Sequence, residues 1–391
     1  MNNKPVFDYP LFAMGFRAFF ALAGLSALAL IAVWNSLSNG SLHIDNYFPA
    51  TVWHAHEMLL GYSTAVIAGF LLTAVRNWTD TETTRPDQLA SLCFLWIYGR
   101  VLPFYSELVP DVLIAAVDFA FLPALAFFVG KPLLRTGNFK NLIFTGLLLL
   151  MALGNGLIHA QILGYSETGA MLGLNLLVAL IVTMILVIAG RVFPFFTERG
   201  LSGVICIRNP GLDAVTVAVS AGVFILLMSG VSGLILMLAA LAALALNVMR
   251  VSAWYDSRIW FVPLLWVLYV GYGWVILGFG LVALSAYAIV LPSLSLHAFT
   301  VGGIGILTLG MMARVSLGHT GRALKASNVM ALAFALINLA ALLRVLFPAL
   351  LPGWYGGFVL ASSYCWLAAF SLFAYRFLPI LSASRPDGRP G

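Results

Sequence analysis

Charge is what this sequence has least of. Asp, Glu, Lys and Arg together make up 9% of its 391 residues, whereas soluble domains carry about 25%. With 62% of the chain hydrophobic, a soluble globular domain is excluded. The alternation of apolar and polar residues that marks a membrane barrel is also missing; the apolar runs are continuous and near 20 residues. Cysteine is scarce too. Cys93, Cys206 and Cys365 lie far apart, with no Cys-x-x-Cys and no Cys-x-x-Cys-His, which argues against an iron–sulfur cluster and against covalently attached c-type haem. Cys93 and Cys365 fall inside apolar runs and read as small packing residues. No cleavable leader is evident, because the first apolar run is as long as a full span.

What is present is a series of runs long enough to cross a bilayer. The sequence predicts an all-α, polytopic transmembrane bundle of twelve spans in a single integral membrane domain, 1–391. The spans lie near 14–34, 53–75, 88–107, 110–130, 140–163, 168–190, 211–230, 233–250, 260–283, 292–314, 326–347 and 356–379. The split between the seventh and eighth rests on Ser229-Gly230-Val231-Ser232-Gly233 alone. Of the 20 lysines and arginines, 18 fall at one set of span ends, from Lys4 and Arg17 to Arg385 and Arg389; the exceptions are Arg100 and Arg344. By the positive-inside rule both termini are expected in the cytoplasm. The same rule accounts for the net charge of +6 without a nucleic-acid partner.

On this topology four histidines fall in the outer leaflet, each within roughly 10 Å of the interface at 1.5 Å per residue. His54 and His56 open the second span, His159 ends the fifth and His297 starts the tenth. Histidine is the commonest metal ligand and the Met58 thioether suits Cu(I). Ionisable groups inside a membrane are costly, and so are functional candidates. His54 and His56, two residues apart, turn about 200° from each other on a helix, so either the helix start is unwound or the two serve different partners. His54 and Met58 share a face. The competing reading of this stretch is a polar interface cap with Trp53 as aromatic anchor. Arg100 could pair with a haem propionate, or with Glu107. Asp118, deep in the fourth span, could carry protons or pair with another polar side chain. His319 reads as a helix-end cap and His43 as a solvated loop residue. The second and tenth spans also align, His56 on His297, Gly61 on Gly302 and Gly69 on Gly310, which would record a duplication.

Two stretches carry a family resemblance. One is Trp53-His54-Ala55-His56-Glu57-Met58 with Ala68-Gly69-Phe70-Leu71-Leu72-Thr73-Ala74 and Asn77-Trp78-Thr79. The other is His297-Ala298-Phe299-Thr300-Val301-Gly302 followed by Ala313-Arg314-Val315-Ser316-Leu317-Gly318-His319-Thr320-Gly321-Arg322. Together they resemble the signature of the NnrS family, over nearly the whole chain. The resemblance implies a bacterial inner-membrane protein containing haem and copper, acting in the nitric oxide response of denitrification or nitrosative stress; whether it is an enzyme stays open. A more distant likeness is to the catalytic subunit of haem–copper oxidases, which needs six histidines where this chain has six in all, one on the other side. The expected cofactors are non-covalent b-type haem and copper. His54 or His56 with His297 is expected to hold iron, Arg100 to assist, and the remaining histidine with His159 and Met58 to hold copper. Nitric oxide or another diatomic is the expected ligand. The alternatives are a twelve-span secondary transporter and an assembly factor handling haem or copper for a reductase.

Overall fold

The computed structural model describes Phe7 and residues 9–388; Lys4 and Arg389 lie outside the described residues. Among those described there are helices and no strand. In chain order the helices are α1 Gly15–Ser38, α2 Ala50–Thr79, α3 Pro86–Val101, α4 Asp111–Arg135, α5 Leu142–Ile162 and α6 Gly169–Gly200. They continue with α7 Pro210–Met228, α8 Gly233–Ser252, α9 Pro263–Ser285, α10 Pro292–His319, α11 Asn328–Leu350 and α12 Tyr355–Ser382. Eleven helices are long and apolar enough to cross a membrane. The exception is α3, with 16 residues. Pro103 lacks the N–H that would continue the helix, and the chain tightens into a 3-10 turn, Leu102–Tyr105. The split at Gly230 is real: α7 ends at Met228, and Gly230 and Gly233 take φ of +71° and +67°, a region open to glycine at little cost.

The chain forms two compact units. The first comprises residues up to Leu177, with Val315–Ala323 and everything from Phe373 onward. Its core is an aromatic face of α1 (Phe16, Phe19, Phe20) laid on α2. Gly69 makes that approach possible, since a Cβ there would stand 2.7 Å from the Phe20 ring. The Phe16 amide, orphaned in the first turn of α1, donates to Thr73 Oγ1 at 3.1 Å. Buried Arg17 donates to the carbonyls of Leu381 and Ala383, at 2.9 and 2.7 Å, so a charge at a helix end is met by the carbonyls of another.

The second unit comprises Val178–Arg314 and Leu324–Leu372. Here α9 packs on α8 and α10, with Phe299 against Gly278 and Trp274 against Gly302. A buried polar network ties α7, α8 and α9: Arg250 Nε meets Asp213 Oδ1 at 2.6 Å, and the Tyr272 hydroxyl donates to Asn247 Oδ1 at 2.5 Å.

The two units repeat one local pattern. After His56 the α2 ladder widens into a π-helical stretch, Glu57–Ser63. After His297 the α10 ladder does the same over Ala298–Gly305. Gly69 receives Phe20 of α1, and its counterpart Gly310 receives Val267 of α9. The next helix in each case carries Arg-Val-Leu, at Arg100 in α3 and at Arg344 in α11. A shared irregularity at a shared register supports the duplication better than apolar residues alone.

Candidate functional site

Three elements of the first unit bring their polar residues to one point. The second helix runs as a regular α-helix through His56 before the π-helical stretch begins. His54 and His56 therefore point apart, as their spacing requires. His54 stacks on Trp34, with ring centroids 4.2 Å apart, while His56 is fully buried. On α5, Asn155 and His159 are four residues apart and share a face. From α4 comes Asp118, also buried.

Asp118 is the hub. Its Oδ2 lies 3.1 Å from His56 Nε2 and 2.9 Å from His159 Nε2, and accepts from Asn155 Nδ2 at 2.9 Å. Its Oδ1 is ion-paired with Arg100 Nη2. Glu57 closes the far side: Oε1 is 3.0 Å from His56 Nδ1 and Oε2 is 3.5 Å from Arg100 Nε. The partners of Arg100 are thus Asp118 and Glu57, and Glu107 is exposed. The π-helical stretch makes room for this. A Cβ on Gly61 would meet Glu57 Oε2 at 2.9 Å, and the Gly61 carbonyl takes the Trp96 indole N–H at 3.2 Å.

Residues before α2 roof the cluster. Phe48 covers the His56 ring, centroids 4.3 Å apart. Tyr47 is held by its amide on Pro103 O at 2.8 Å, and its hydroxyl meets His159 Nδ1 at 3.2 Å. Burial, with the Asp111 carboxylate adding to it, pushes the Tyr47 phenol above its ordinary value, so it stays a neutral hydrogen-bonding group. Trp53, a candidate interface anchor, is instead buried against Phe104.

Charge counting shows what such a site can do. Two carboxylates and one guanidinium leave the cluster one positive charge short. Buried charges persist only when paired, so the cluster takes one more cation, either a proton shared among His56, His159 and the acids, or a metal ion. The geometry fits the latter. His56, Asp118 and His159 each offer an atom, and these lie within 4.8 Å of one another; four ligands at about 2.0–2.1 Å from one metal are themselves about 3.4 Å apart. The other nitrogen of each ring is held by Glu57 or Tyr47, the outer support that ligand histidines commonly have. A cavity of about 10 Å³ beside Arg100, Asp118 and Asn155 has room for one water at most. It is too small for an organic substrate.

Met58 lies half-buried on the π-helical stretch, its carbonyl accepting from Ser63 Oγ at 2.8 Å. In the second unit, His297 Nδ1–H donates to Ser293 O at 2.7 Å, and Nε2 accepts from Arg344 Nη2 at 3.1 Å. His319 ends α10, its ring against Phe16 and its carbonyl accepting from Arg385 at 2.9 Å; His43 is exposed.

Sequence reasoning picked out His56, His159, Asp118 and Arg100 separately but not their meeting point, and it overlooked Glu57, Asn155 and Tyr47 as partners. The i, i+4 spacing of Asn155 and His159 was the available signal. Tyr47→Phe tests the roof: it removes one hydrogen bond to His159 and is expected to weaken metal binding about tenfold with little change in fold, read by competition with a chelator.

Helices of this length and composition, with a buried His–Asp–His cluster in the first unit, define a multi-pass membrane protein with a candidate metal centre. The chain matches the NnrS protein family over residues 10–385 and belongs to that family. No curated protein matches it.

Proposed function

We propose that this chain is a haem- and copper-containing protein of the bacterial inner membrane that binds nitric oxide during denitrification or nitrosative stress. The observation that carries the reading is the buried His56–Asp118–His159 trio, with family membership beside it. Copper would be held by His56, His159 and Asp118. The two imidazoles and one carboxylate form a harder donor set than imidazole with the Met58 thioether, and favour Cu(II) over Cu(I). The residue that would hold haem is His297. The Ser293 carbonyl holds its Nδ1–H and so fixes Nε2 as the lone-pair nitrogen. His54, stacked on Trp34, stays outside the trio and remains a candidate ligand. When bound, the metals would supply an open coordination position for a diatomic and a place for one electron.

The chain's own residues supply the rest. Asp118 fixes both imidazoles, and Arg100 balances the carboxylates so that the site can lose or gain one positive charge. Phe48 and Tyr47 keep bulk water out. By the positive-inside rule the roof of the site, at Tyr47 and Phe48, would lie on the side away from the cytoplasm. The test is a visible spectrum and metal analysis of the purified protein. A Soret band with bound copper is expected; absence of both would favour a transporter.

A further inference from the structure

A guanidinium on an apolar span without a carboxylate is an electrostatic debt, and half-buried Arg344 is one. The sequence holds no Asp or Glu anywhere in 257–386. The second unit has three other acids, each beside a different arginine: Glu198 with Arg208, Asp213 with Arg250, and Asp256 with Arg258. Arg344 has instead His297 Nε2 at 3.1 Å and Tyr355, which bonds to it through its hydroxyl and whose ring lies 5.5 Å from its carbon centre. Its Nη1 is buried without a hydrogen-bond partner. The equivalent arginine of the first unit shows what is missing. Arg100 is neutralised by Glu57 and Asp118, whereas the residue after His297 is Ala298 and α12 offers Ser362 near its start. The first unit keeps two carboxylates beside this arginine; the second has no carboxylate paired with it.

We infer that Arg344 and His297 form a receptor for a planar two-oxygen anion, a carboxylate or nitrite. The guanidinium presents paired N–H donors in the geometry such an anion accepts. Nη1 supplies a donor at once, and Nη2 is released when His297 Nε2 takes another partner. The carboxylate could belong to a haem bound at His297, an arm that rests on the function proposed above; nitrite would come free from solution. Arg100, its charge already met by Glu57 and Asp118, is the poorer candidate for either.

The experiment uses the full-length protein in detergent, prepared free of haem, with Arg344→Gln and Arg344→Lys. One arm titrates haem and its dimethyl ester and follows the Soret band. The other titrates sodium nitrite by calorimetry. If the anion is a haem carboxylate, Arg344→Gln binds haem at least tenfold more weakly than wild type, and the ester binds wild type as weakly as haem binds the variant. If it is the free ion, nitrite binds wild type and not Arg344→Gln. Arg344→Lys keeps the charge, loses the fork and should fall between. Should haem fail to bind wild type, the haem assignment falls and the nitrite arm still decides. The inference is overturned if Arg344→Gln matches wild type in both arms, if Arg344→Lys is indistinguishable from wild type, or if wild type binds neither ligand.

Discussion

Asp118→Ala should cost the protein its copper. The carboxylate is the one group that touches both imidazoles, Asn155 and Arg100. Its removal takes away a ligand, leaves the two rings to their remaining partners and strands a guanidinium beside Glu57 alone. Breaking a buried pair from one side costs about 3–5 kcal/mol, so a lower melting temperature is expected as well. Asp118→Asn separates the two effects. It keeps the shape and some hydrogen bonds but drops the charge, so the fold should survive better than the metal does. Copper per mole of protein is the quantity to measure, with His159→Ala in parallel. Full copper in both Asp118→Ala and His159→Ala would end the assignment.

The second large effect is expected at His297. Its Nδ1–H is spent on the Ser293 carbonyl, so the ring is held in one tautomer with Nε2 outward, the posture of a metal-ligating histidine. His297→Ala should abolish the Soret band or shift its maximum. His43→Ala should leave the band alone, since His43 is an exposed loop residue. Equal haem content and an unshifted maximum in both variants would show that the iron is held elsewhere.

The spans were legible because a bilayer imposes length and hydrophobicity together. Gly230 could be read as a chain reversal for a related reason: only a turn needs its backbone conformation in the middle of an apolar stretch. Two features were not legible. The meeting of His56 with Asp118 and His159 depends on the rotation of three helices. Rotation is read from a polar stripe, and α2 from Leu59 to Val75 has almost none. Arg100 shows the limit from the other side. Its break with the positive-inside pattern marked it as unusual, but its partners, Asp118 and Glu57, come from two other helices, one upstream in the chain and one downstream. The π-helical stretches were hidden too, because an extra residue in a uniformly apolar run leaves no phase slip to detect.

Those stretches set where the ligand-type side chains point. A regular helix turns about 100° per residue. Take one residue out of Glu57–Ser63, and a ladder restored to regular spacing swings His56 by about that angle about the axis of α2, away from Asp118. The same holds for His297 and the stretch Ala298–Gly305. The heading of each imidazole is therefore written in the count of residues that follow it as much as in their identity.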